Sequence, residues 1–317
     1  MGDGGLAYAL LPAGTLLCAL AIDRLWGEPP VALHPVVWIG RYLGWAGRRI
    51  VPAEPQAREE DWGAFGLGAL AWSAGAAIVL VAALLAQAAL VRLPWWAALP
   101  LGALLLKPLL AWRMLRDEVA AVEAALAVSL DDGRARLARL VSRDVTRLSA
   151  VEVRESAIET LAENLNDSVV APVCWFVLLG LPGAALYRFA NTADAMWGYR
   201  GRWEWAGKWA AHADDLLSWL PARITAALLM AGAPPAAWRA LAAEARRTPS
   251  PNGGWPMGAM ALRLGVRLGK PGVYVLHAGG RHATAADTAG ALRRAGRAVA
   301  ASAVLGGLLL AAGAALR

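Results

Sequence analysis

Residues 63–91 form an unbroken run of 29 uncharged, mostly apolar residues that ends only at Arg92. At about 1.5 Å per residue a helix of that length exceeds the roughly 30 Å hydrocarbon thickness of a bilayer. Three further stretches have the same character: 4–22, 93–112 and 298–316. The first and last hold 19 uncharged positions each, and 93–112 carries only Lys107, near enough to one end to snorkel. The whole chain agrees, with 58% hydrophobic and only 17% charged residues, against roughly 25% charged in a soluble domain. A disordered chain, an ordinary nucleic-acid-binding domain and a secreted disulfide scaffold are excluded. The expectation is an all-α polytopic membrane protein, a single membrane-embedded domain over 1–317 with about four transmembrane helices.

Two apolar stretches leave their arrangement open. Residues 168–187 are interrupted by Gly180-Leu181-Pro182-Gly183 into two half-helices, and 216–238 carry Arg223 beside Pro221. Each fits a re-entrant segment, a tilted span or a helix buried in protein. The N-terminus lacks the basic region of a cleavable signal, so the first span is expected to remain. Cys18 and Cys174 lie within apolar runs and read as small buried hydrophobes.

The net charge of +7 comes from 28 Arg and 3 Lys against 24 acidic residues. Residues 23–62 hold five Arg, 113–167 eight, and 239–297 nine plus Lys270, whereas the link after 63–91 holds Arg92 alone. The positive-inside rule therefore places the large polar segments, with their amphipathic helices, in the cytoplasm and the N-terminus outside. A basic protein invites nucleic acid as partner, but this distribution accounts for the excess, so the partner is the lipid bilayer. Asp131-Asp132-Gly133 reads as a break between helices, and the Pro/Gly clusters at 249–258 and 269–272 read as loops. No GxGxxG or Walker-type loop occurs.

The sharpest polar feature is Glu152, Glu155, Glu159 and Glu163, followed by Asn164, Asn166 and Asp167. Spacings of three and four put the glutamates on one helical face, where like charges repel by a few tenths of a kcal/mol per pair. A divalent cation or Arg residues from another helix would compensate. A second cluster runs from Asn191 through Asp194 to Arg200, and a third holds His212, Asp214, Asp215, Ser218 and Arg223. Arg24, His34, Asn252 and Lys270 sit in Pro/Gly-rich loops or at helix ends, suited to let backbone N–H groups approach an anion. His34, His212, His277 and His282 have no zinc-like spacing.

Taken in order, these motifs resemble one family, the membrane-bound adenosylcobinamide-phosphate synthases of cobalamin biosynthesis. The matching stretches are Asp23 to Gly40, Ser142-Arg143-Asp144, and Ala162-Glu163-Asn164 through Asp167 to Ala171-Pro172. Further matches are Asn191-Thr192 through Asp194 to Arg200, Asp214-Asp215 with Pro221-Ala222-Arg223, and Ser250-Pro251-Asn252 to Tyr274. The resemblance implies a ligase that joins a propionate carboxylate of adenosylcobyric acid to aminopropanol or its phosphate, consuming ATP. That chemistry needs Mg²⁺ and cationic groups around the phosphoryl group. It implies Glu155, Glu159, Glu163 and Asp167 as metal ligands and Asp194, Asp214, Asp215 and Arg200 as catalytic residues. Arg24, His34, Asn164, Asn191, Arg223, Asn252 and Lys270 are implied to hold substrate or phosphate. The Trp-rich stretch Trp197, Trp203, Trp205, Trp209 is expected to wall a corrinoid groove or to form an interfacial belt. Other cobalamin-pathway enzymes are expected partners, at the cytoplasmic face of the inner membrane. A non-catalytic membrane sensor or scaffold, or a corrinoid or organic-phosphate transporter, is the competing reading.

Overall fold

A computed structural model describes residues 3–51 and 60–316. Among them are twelve α-helices: α1 (Asp3–Trp26), α2 (Pro35–Ile50), α3 (Trp62–Leu90), α4 (Trp95–Leu106), α5 (Trp112–Leu126) and α6 (Leu130–Leu137). They continue as α7 (Ala150–Leu165), α8 (Ala171–Trp197), α9 (Lys208–Met230), α10 (Pro235–Ala245), α11 (Gly254–Leu264) and α12 (Ala285–Ala315). Two three-residue strands, β1 (Leu268–Lys270) and β2 (Tyr274–Leu276), pair antiparallel. The protein is all-α and polytopic, and five of its helical stretches are long and apolar enough to cross a membrane. Four overlap the expected spans. The fifth, Ala150–Trp197, includes the 168–187 run, whereas the 216–238 stretch meets no such criterion.

The contacts group into two compact units. The first comprises Met1–Ala111, Ala171–Ser218 and Ala303–Arg317. Here α1 packs on α4, and α3 on α8. The core uses small residues, Ala19, Ala83, Ala103 and Ala184, beside Leu16, Leu106 and Phe176, as close helix approach within an apolar environment requires. The anticipated break in α8 falls at Gly180, whose φ of 69° is one that side-chain-bearing residues rarely adopt. The break frees the Leu181 N–H, and Gln87, the one amide in α3, accepts it at 3.0 Å. Gln87→Leu therefore leaves a half-buried donor unmet. We expect a loss of about 1–3 kcal/mol, read as a lower unfolding midpoint in micelles, and an unchanged midpoint would dismiss this role.

Lys107 does not snorkel. It is 3% exposed, with its Nζ 2.8 Å from Glu28 Oε2 and 3.4 Å from Asp23 Oδ1, and Asp23 is fully buried. Glu28 also accepts from His34 Nε2 at 3.0 Å. Burial alone would raise the Glu28 carboxyl, but the His34 and Lys107 hydrogen bonds outweigh it and hold it below the ordinary range.

The second unit comprises Trp112–Val170 and Trp219–Ser302. Its centre is α7, packed against α5, α6, α11 and β1. The helix starts at Ser149, whose side chain caps Glu152 N–H while the Glu152 carboxylate returns to Ser149 N–H at 2.8 Å. It ends in a π-turn over Asn166–Val170. Asp131 and Asp132 mark no break: Ser129 caps α6 and both acids lie in its first turn, where the helix dipole favours them. The cluster at 269–272 is likewise more than a loop. It forms the β1–β2 hairpin turn, with Gly272 at φ 73° and Lys270 directly opposite Tyr274.

Candidate functional site

The glutamates of α7 share a face, and their partners differ. Glu152 serves the helix cap. Glu155, 2% exposed, meets His282 Nδ1 at 3.3 Å and Arg267 Nε at 3.8 Å. Glu159, 4% exposed, meets Arg143 Nη2 at 3.3 Å and accepts from the Tyr274 phenol. Glu163 makes no hydrogen bond or ion pair among the described residues. Like-charge repulsion along α7 is thus relieved largely by cationic groups from other segments. Among the described residues no three His, Cys, Asp or Glu side chains gather closely enough to hold a metal, so the four-carboxylate magnesium set is not assembled here.

Glu159, Glu163 and Asn164 instead line a cavity of about 330 Å³ with Arg143, Lys270 and Tyr274. Two carboxyl groups and two cations face one small space, roofed by the Thr248–Ser250 loop; burial, with Asp167 and Glu159 nearby, pushes the Glu163 carboxyl up to about 8. Each arrives by a local rule. Helical spacing presents the acids, hairpin register sets Lys270 beside Tyr274, and Asn164 is oriented by its hydrogen bond to Thr160 O at 3.1 Å. The loop is held by Ser250 Oγ, which accepts from Asn252 N–H and Gly253 N–H, both at 3.1 Å. A methyl at Gly253 would come within 2.8 Å of Glu163 Oε1, so glycine permits that approach. Burial, with the Glu159 and Glu163 carboxylates nearby, holds the Tyr274 phenol far above its ordinary range. It is a permanent donor at neutral pH.

The remaining expected site residues fall elsewhere. Arg223 is fully engaged: it donates to Asn252 Oδ1 at 2.8 Å and Pro251 O at 3.3 Å, and lies over the Trp219 and Trp255 rings. It and Asn252 anchor the loop above the cavity. Asp167 accepts from Asn166 Nδ2 at 2.9 Å within the π-turn. In the other unit, His34 Nδ1 caps α2 by accepting from Val36 N–H at 3.3 Å. Arg24 and Arg200 are exposed. Asn191 receives Arg188 Nη1 at 3.5 Å, and the Asp194 carboxylate lies against Gly198 at the end of α8. Asp214 and Asp215 are half-buried on α9. In the sequence, Arg143 and Tyr274 stand out only as members of the matched stretches. The alternation Val273-Tyr274-Val275 after a Pro-Gly pair is the signal that marks the hairpin.

A polytopic helical membrane protein carrying a small cavity lined with charges of both signs is the class this fold and site define. The profile of the CobD/Cbib protein family matches residues 16–301. A probable cobalamin biosynthesis protein CobD of Methanothermobacter thermautotrophicus is 41% identical over 276 residues, covering 82% of this chain and 85% of its own. The cobalamin biosynthesis protein CobD of Chromobacterium violaceum is 42% identical over 254 residues, 79% of each chain. That of Rhodobacter capsulatus is 38% identical over 277 residues, 83% of each. No solved structure matches. The chain belongs to the CobD/CbiB family.

Proposed function

We propose that this protein acts in cobalamin biosynthesis as an amide-forming ligase, condensing a propionate carboxylate of adenosylcobyric acid with aminopropanol phosphate at the expense of ATP. The observation that carries this reading is the two-signed lining of the α7 cavity. A phosphorylated amino alcohol bears a phosphate and an ammonium a few bonds apart. Arg143 and Lys270 suit the phosphate, and Glu163 suits the ammonium. A volume of about 330 Å³ admits that small molecule and excludes a corrinoid, which must present its carboxylate from outside.

A carboxylate is a poor electrophile, so ATP first converts it to an acyl phosphate with release of ADP. The amine then attacks the acyl carbon, the C–N bond forms, and inorganic phosphate leaves. The amine must be deprotonated to attack, and Glu163 is positioned to take its proton. Tyr274 and Arg143 hold Glu159 in place beside it. Magnesium is commonly held by one or two carboxylates together with substrate phosphates. It enters here with the nucleotide, and no step runs through a metal site on the protein. The charge distribution supports a cytoplasmic active face in the inner membrane, where ATP is available.

The test is mass spectrometry of products from purified protein, adenosylcobyric acid, ATP and each candidate amine. With the propionate labelled in ¹⁸O, one label should appear in the released phosphate for each amide formed. Uptake of corrinoid into vesicles without chemical change would favour a transporter instead. Tyr274→Phe, which leaves Glu159 without that donor, should lower the rate about tenfold and leave the product unchanged.

A further inference from the structure

A second cavity, of about 390 Å³, lies wholly within the first unit, between the last turns of α2 and α8. It is lined by Gly47, Arg48, Met196, Trp197, Arg202 and Trp203, among others, and by no acidic residue among those described. α2 reaches the indoles because Gly47 has no side chain: a methyl there would come within 2.8 Å of the Trp203 ring and 3.0 Å of Trp197 Nε1. The two rings stack at 6.1 Å with 14° between their planes. Trp197 is 1% exposed, and its indole N–H has no acceptor among the described residues. Buried donors are rarely left unmet, so this one points to an acceptor from outside the described residues.

Both guanidiniums at this cavity face the same need. Arg202 lies over the Trp203 ring at 6.0 Å, and neither Arg48 nor Arg202 pairs with a carboxylate among the described residues. Three donor groups therefore line one cavity with no acceptor among the described residues. The depth is informative as well. Ile50, Ala64, Trp197 and Ala206 share one apolar cluster, so the cavity is level with the start of α3 at Trp62, the end of a membrane-length helix. Arg49 over the Trp45 ring at 4.2 Å marks the same boundary. An anion with several oxygens at a membrane surface is a phosphate. Its tetrahedral oxygens can receive two guanidinium forks and an indole N–H from separate directions.

We propose that this cavity binds a phosphate group through Arg48, Arg202 and Trp197 Nε1–H. The phosphate belongs either to a phospholipid headgroup or to a soluble phosphate ester. Purified, delipidated protein in neutral micelles would be titrated with phosphatidylglycerol, with diacylglycerol and with inorganic phosphate. Bound lipid is counted by native mass spectrometry, and bound phosphate by equilibrium dialysis. Phosphatidylglycerol should bind, and Arg48→Ala with Arg202→Ala should weaken it about tenfold or more. Trp197→Phe, which keeps a ring and removes the N–H, should weaken it several-fold. Arg202→Gln at an exposed position secures the result should the buried variant unfold. Binding of inorganic phosphate with the same sensitivity identifies a soluble ester, and its absence a lipid headgroup. Affinities unchanged in the variants, diacylglycerol binding as tightly as phosphatidylglycerol, or no binding of either phosphate probe would overturn the proposal.

Discussion

Glu163→Gln should lower amide formation at least about a hundredfold without lowering the unfolding midpoint. The asymmetry follows from its surroundings. Glu163 faces the cavity and makes no hydrogen bond or ion pair among the described residues, and burial with Asp167 and Glu159 nearby disfavours its charge, so a neutral amide takes no stabilising contact from the fold. A proton acceptor in a transition state is worth about 10²–10⁴ in rate, and an amide side chain cannot serve. Glu159→Gln is the contrasting case. It would break the contact with Arg143 at 3.3 Å and weaken that with Tyr274, lowering activity and stability together. Steady-state rates with thermal melts of the two variants separate these outcomes. Near-native turnover in Glu163→Gln would remove that residue from the chemistry.

Lys107→Met is the substitution with the largest expected structural effect. The ammonium is the cation shared by Asp23, which is fully buried, and Glu28. Removing one partner of a buried ion pair costs about 3–5 kcal/mol, because the remaining charge has lost its compensation. The variant should unfold far more readily in a denaturant titration of the micellar protein. Adding Asp23→Asn removes the buried charge that faced the ammonium, so the double variant should recover a substantial part of the loss. A single variant within about 1 kcal/mol of the parent would show that the cluster contributes little.

The spans were legible because hydrocarbon thickness imposes length and a lack of charge, and both can be read from the chain alone. The break in α8 was legible for the same local reason, since Gly and Pro next to each other interrupt a helix. Helical period also put the glutamates on one face. What it could not supply was their partners. Arg143, His282, Arg267 and Tyr274 lie between 16 and 127 residues from the acids they meet, and no spacing rule spans such distances. Lys107 misled for a related reason: proximity to a helix end is compatible with snorkelling, and only the fold reveals acids at 23 and 28 waiting for it. His34 and Arg223 looked like ligand-binding groups. They proved to be tied to the protein, one as a helix cap and partner of Glu28, the other as the anchor of the 249–252 loop.

If a small phosphorylated amine occupies the α7 cavity, equilibrium binding of aminopropanol phosphate to purified protein shows it most directly. One molecule should bind per chain, with affinity reduced about tenfold or more in both Lys270→Met and Glu163→Gln. Binding of equal strength in the parent and both variants would contradict it.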